Sequence, residues 1–140
     1  MLTLTTPLRW HRLRVRASAA LLASLCALTA SSVAWADPTP RPGSVRIGQR
    51  LYQARCTQCH TIDEHKIGPA HRGVFGRIAG GAKGYDYSTG LQQAEFAWTA
   101  DNLNRWLLNP DAMVMWQQMD YRVDDAQDRA DLIAYLATLK

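Results

Sequence analysis

The chain has 140 residues, 47% of them hydrophobic, and a formal net charge of +4. That length allows one domain at most. The positive balance does not mark a nucleic-acid binder: four arginines fall between residues 9 and 16, and the chain beyond residue 36 is near neutral.

Residues 9–16, RWHRLRVR, carry four arginines and no acid, and residues 17–34 are small or apolar with a few Ser and Thr. Ala34-Trp35-Ala36 follows as a small-residue cleavage site, then Asp37 and the prolines of DPTPRPG. Positive start, short apolar run and A-x-A site together predict a secretory signal peptide over residues 1–36. An uncleaved anchor is the alternative, with an apolar run about as short as a membrane span allows. Cys26 lies in the run behind Leu25 rather than a small residue, so it is expected to be discarded. Export into an oxidising compartment, the periplasm, is the expectation. Cleavage leaves Cys56 and Cys59 as the remaining cysteines.

Residues 37–43 are proline-rich and read as an N-terminal linker, with the folded domain over 44–140. From Asp37 to Lys83 there are eight basic and three acidic residues, and from Gly84 to Lys140 four basic and nine acidic. Such an asymmetry can steer docking to a charged partner, although for any single charge a solvated surface is the plainer reading. A first helix is expected from Ser44, a good N-cap, to about Ala54.

CTQCH follows, Cys56 to His60. Zinc needs about four ligands, usually two such pairs or a pair plus two suitably spaced histidines. Here there is one pair, with His65 and His71 the only other histidines beyond it. A thioredoxin-like pair needs a preceding strand and a βαβ setting, and the preceding residues have helical spacing. Covalent haem attachment fits better. Two thiols at a fixed short spacing add to two vinyl groups, and the next residue, His60, can offer Nε2 to the iron.

Residues 61–90 are rich in glycine turn signals and predict a long loop, which needs something to hold it. A middle helix is expected near Thr99, an N-cap, with Leu103, Trp106 and Leu107 as its apolar stripe and Asn109-Pro110 as its end. A Met-rich segment, MVMWQQMDYRV, comes next. The last helix is expected from Asp124, with Gln127 as its capping-box partner, to the C-terminus. The fold class expected is all-α: an N-terminal helix, a long haem-wrapping loop, a middle helix and a C-terminal helix.

With these residues in order, the sequence resembles the class I cytochromes c, of the mitochondrial-like and α-proteobacterial type. The resemblance runs from Gly43 to the C-terminus through GSVRIGQRLYQARCTQCHT, KIGPAHRGVFGR, GYDYS, the Trp98 segment, LLNP and RADLIAYL. It implies thioethers at Cys56 and Cys59 and a proximal ligand at His60. It implies that the Pro69 carbonyl accepts from the histidine's Nδ1–H. Arg77, Tyr87 and Trp98 match the residues that bond a buried haem propionate. Gly48 and Tyr52 match first-helix positions that cross the last helix near Leu132 and Tyr135.

The sixth ligand is expected to be Met119, ten residues after Asn109. A methionine ligand favours ferrous iron and raises the potential. In the family a proline–glycine pair stands four and three residues before it; here those positions are Met115 and Trp116. This departure leaves Met115 and Met113 as alternative ligands. Trp106 stands where the common form has a tyrosine near the sulfur, and its indole N–H can donate but not accept. The function expected is one-electron transfer rather than enzymatic catalysis, by a monomer that meets redox partner proteins transiently and binds no nucleic acid. The alternatives are a dedicated haem subunit of a periplasmic oxidoreductase, and a ligand-binding haem protein with a labile sixth site.

Overall fold

The computed structural model describes residues 39–140. The expected signal peptide lies outside the described residues. Among the described residues five helices form: α1 Val45–Arg55, α2 Thr89–Gln92, α3 Ala100–Leu108, α4 Pro110–Met113 and α5 Ala126–Leu136. The described residues hold no strand beyond one isolated antiparallel bridge, Ile78 with Ala97. The all-α expectation is met.

Local chemistry sets most of the boundaries. Ser44 Oγ accepts from the Ile47 N–H at 3.4 Å and opens α1, and Thr99 Oγ1 accepts from the Asn102 N–H at 3.2 Å and opens α3. Such caps contribute about 1 kcal/mol each. Asn109 ends α3, but its side chain also accepts from Ala112 N–H at 3.3 Å and starts α4. Pro110 suits this restart because a first-turn residue needs no N–H partner. The last helix corrects the expected cap. Asp125, not Asp124, is its N-cap, with Oδ1 accepting from Asp128 N–H at 2.7 Å. Gln127 is drawn away by a tertiary contact, accepting from Arg41 N–H at 2.9 Å. The expected linker is therefore tied to α5 at Arg41. The helix ends at Leu136, and a turn carries the chain to Lys140.

Helices α1 and α5 cross at Gly48. A Cβ there would collide with the Asp131 carbonyl oxygen and lie 2.9 Å from Tyr135 Cβ. Only glycine allows that approach. Beside it, Tyr52 and Tyr135 meet ring to ring at 5.3 Å, and Leu132 is almost wholly buried. A buried leucine of this kind contributes roughly 2 kcal/mol. Asp131, also buried, accepts from Ser44 N–H at 2.6 Å and Gln127 Nε2 at 3.1 Å, so the start of α1 is bonded to α5.

Buried Arg129 makes a second junction. Its Nε donates to Asn104 Oδ1 at 2.7 Å, and Nη1 donates to the Val123 and Asp124 carbonyls at 2.8 Å. These neutral acceptors satisfy a buried cation that reaches no carboxylate among the described residues. The long loop also holds itself through backbone bonds. Gly76 N–H donates to Trp98 O at 3.0 Å, Trp98 N–H to Arg77 O at 2.9 Å and Ala79 N–H to Phe96 O at 2.9 Å. No helix among the described residues is long and apolar enough to cross a membrane.

Candidate functional site

The helices and loops enclose a cavity of about 420 Å³. Cys56, Cys59, His60, Pro69, Arg77, Tyr87, Trp98 and Met119 all line it. The candidate residues are thus brought together, although 63 positions separate Cys56 from Met119. Met113 and Met115 lie elsewhere, on a separate surface groove.

The CTQCH turn continues from α1 as one tight turn. Cys59 N–H and His60 N–H both donate to Cys56 O, at 3.1 and 2.9 Å. Both cysteines are free thiols. Burial pushes the Cys56 thiol up to about 11, so it stays protonated near neutrality. That is the opposite of a reactive dithiol, whose thiolate is stabilised. No group of three or more His, Cys, Asp or Glu side chains among the described residues is arranged to hold a metal ion.

His60 Nδ1 lies 2.8 Å from the Pro69 carbonyl oxygen. A carbonyl only accepts, so the proton sits on Nδ1 and Nε2 keeps its lone pair. Burial also holds the imidazole pKa below its usual value, against the pull of the Pro69 carbonyl. Gly68 makes room for this ring. A Cβ at Gly68 would run into His60 Cε1 and lie 2.6 Å from Nδ1. On the methionine side, Trp106 Nε1 donates to Met119 Sδ at 3.0 Å, as the sequence allowed. Sulfur has a second lone pair, which this bond leaves free.

Two further side chains at the site were not singled out from sequence. His71 lines the cavity and stacks on His60, with ring centroids 4.1 Å apart and planes 17° from parallel. Its Nδ1 lies 3.1 Å from the Tyr52 hydroxyl. Burial first, then His60 and Arg77, hold its pKa well below the usual value. Ser88 also lines the cavity, and its Oγ is buried without a hydrogen-bond partner among the described residues. Arg77 shares this condition: its Nη groups bond the Arg72 and Ala70 carbonyls at 2.9 and 3.0 Å, while its buried Nε has no partner. Unpaired buried donors are costly, so two of them lining one cavity call for an acceptor group. A haem propionate would supply one. Apolar Leu103, Leu107 and Leu132 line other parts of the cavity and suit a porphyrin face. The donor set fits the group.

A helical shell around one such cavity, with a paired-thiol and histidine turn in its wall, is the arrangement of the class I c-type cytochromes. The profile of the family described as "Cytochrome c" matches residues 45–140. The cytochrome c of Gossypium barbadense is 39% identical over 99 residues, which cover 68% of this chain and 89% of that protein. That of Gibberella zeae is 39% identical over 98 residues, 67% of this chain and 92% of the other. Among solved structures, cytochrome cH from Methylobacterium extorquens aligns with a TM-score of 0.66 at 34% identity, over 69% of this chain and 99% of its own. Ferricytochrome c2 from Rhodopseudomonas palustris aligns with a TM-score of 0.65, also at 34% identity, with the same coverage. The chain belongs to the cytochrome c family, a family of haem-based electron carriers.

Proposed function

We propose that this protein is an exported, periplasmic one-electron carrier, with one haem c bound through Cys56 and Cys59 and iron held between His60 and Met119. The observation that carries this reading is that His60 and Met119 line the same cavity, each oriented by its own hydrogen bond, while Met113 and Met115 do not. The bound haem supplies the one-electron change at iron. The chain's residues do the rest. The Pro69 carbonyl fixes the His60 ring and raises its basicity. The Trp106 N–H holds the Met119 sulfur in place. Arg77, Tyr87 and Trp98, joined by the unpaired Ser88 hydroxyl, would hold the propionate. Apolar walls exclude water, so little solvent reorganises when the charge changes. The protein works as a monomer, meets donor and acceptor transiently, and transforms no substrate.

The test is the visible spectrum of the protein matured in a competent host, oxidised and reduced, with and without carbon monoxide. The expected result is a c-type reduced spectrum unchanged by carbon monoxide, and a far-red methionine-to-iron band when oxidised. Rapid carbon monoxide binding would replace this reading with ligand chemistry at an open site. N-terminal sequencing of the exported product should begin at Asp37.

A further inference from the structure

The segment before Met119 displays its largest side chains to solvent. Trp116 is 71% exposed and Met115 69% exposed. Trp116 is also the only non-glycine residue at positive φ among the described residues, at 57°. A bulky residue there is strained, and such strain persists only where the surroundings impose it. They do so here. The Met115 carbonyl packs against Gly90 so closely that a Cβ at position 90 would collide with it. Asp111 Oδ1 accepts from Gln117 Nε2 at 2.6 Å, and Asp111 Oδ2 pairs with Arg122 at 2.9 Å. The strain is thus spent on holding an indole out in water, where it contributes nothing to the core.

Beside these two residues lies a groove of about 290 Å³, walled by Phe96, Met113 and Val114. Gln118, Asp120 and Tyr121, just beyond Trp116, line the haem cavity. Near the patch, Glu95 stands between the groove residues Ala94 and Phe96 and Asp120 lies four residues beyond Trp116; both are exposed and have no ion pair among the described residues, while Arg122 is paired with Asp111. The surroundings are therefore net acidic.

We propose that Met115 and Trp116 are the docking patch for a redox partner protein that presents an apolar contact ringed by basic side chains. This rests on the carrier reading above. Trp and Met are favoured in interface cores, and charge complementarity around them selects the partner and speeds encounter. A second copy of this chain is the wrong occupant. A two-fold contact would set the acidic ring against itself.

The experiment uses the haem-loaded protein and two probe proteins in stopped flow: a lysine-rich cytochrome as the basic probe and a flavodoxin as the acidic one. Trp116→Gly removes the ring and relieves the positive φ; Trp116→Asn keeps a polar side chain that tolerates that conformation. Electron exchange with the basic probe should slow as salt rises, and drop about tenfold in both variants, as for a typical hot spot. Asp120→Lys should slow the same probe. Exchange with the acidic probe should be unchanged by the Trp116 variants, because most of the basic residues beyond residue 36, eight against four, lie in the Asp37–Lys83 half. Unchanged rates with the basic probe, or concentration-dependent dimers in sedimentation that Trp116→Gly abolishes, would overturn the proposal. Intact spectra and ascorbate reduction alongside such a result would mean that only the docking inference fails. Absence of a c-type spectrum would overturn the carrier reading, and this inference with it.

Discussion

The two sides of the cavity are built differently. From Cys59 to Arg72 the backbone bonds to itself: Gly68 N–H to Cys59 O at 2.7 Å, Lys66 N–H to Gly68 O at 3.0 Å, His71 N–H to Thr61 O at 3.0 Å and Arg72 N–H to Ile62 O at 2.7 Å. From Met115 to Arg122 no backbone-to-backbone bond is made among the described residues. Side chains tether that segment instead: Trp106 to Met119, Gln117 and Arg122 to Asp111, and the Met119 N–H to Gln117 Oε1. Backbone webs survive most substitutions, whereas a side-chain tether is lost with one. The Cys59–Arg72 side is thus a backbone-built seat for the His60 ring, and the Met119 side is held by side chains alone.

The sharpest test of this contrast acts on the seat itself. Gly68→Ala puts a Cβ into the His60 ring and should cost about 3 kcal/mol or block haem attachment altogether. Thermal unfolding and haem yield would check it, and an unaltered melt would show that the seat is not rigid. The next effect falls on the other side. Met119→Ala should abolish the far-red band and admit carbon monoxide while leaving the reduced protein folded, because Met119 is only partly buried. A global loss of folding would mean that the methionine side is not separable from the core.

Smaller still is Trp106→Phe, which keeps an aromatic ring and removes the N–H donor to sulfur. A stability loss of about 1 kcal/mol is expected, with faster carbon monoxide capture. If capture is no faster, the indole does not hold the ligand. The smallest effect is acid. The Gln117 amide first, then Arg122, hold the exposed Asp111 carboxyl below the usual carboxylate range. A depressed folded value stabilises the tether above the unfolded pKa, near 4, and this is lost as pH falls through the lower folded value. The far-red band should therefore fade in that window, and already be weaker in Asp111→Asn at neutral pH. Asp63, held low by Arg72, is the proximal counterpart. Asp63→Asn should leave the band alone.

How much was legible beforehand followed the range of each interaction. Ser44, Thr99 and the CTQCH turn act within a few residues, so spacing alone exposed them. The resemblance extended this to Pro69, Arg77, Tyr87, Trp98 and Met119, which the fold gathers on one cavity. The cap of the last helix was misread by one residue, with Gln127 answering to Arg41, 86 positions away, and the helix stops at Leu136 short of the expected C-terminus.

What the sequence by itself determined was the local chemistry: two thiols and an imidazole on one turn, the helix caps, and a methionine at a fixed distance from Asn109-Pro110. Only the tertiary structure decided which groups share the cavity's interior. His71 stacking on His60, the unpaired Ser88 hydroxyl and the outward, strained Trp116 each depend on how separate segments pack. Their roles come from burial and contact, and no residue type or spacing encodes either until the chain has closed around its core.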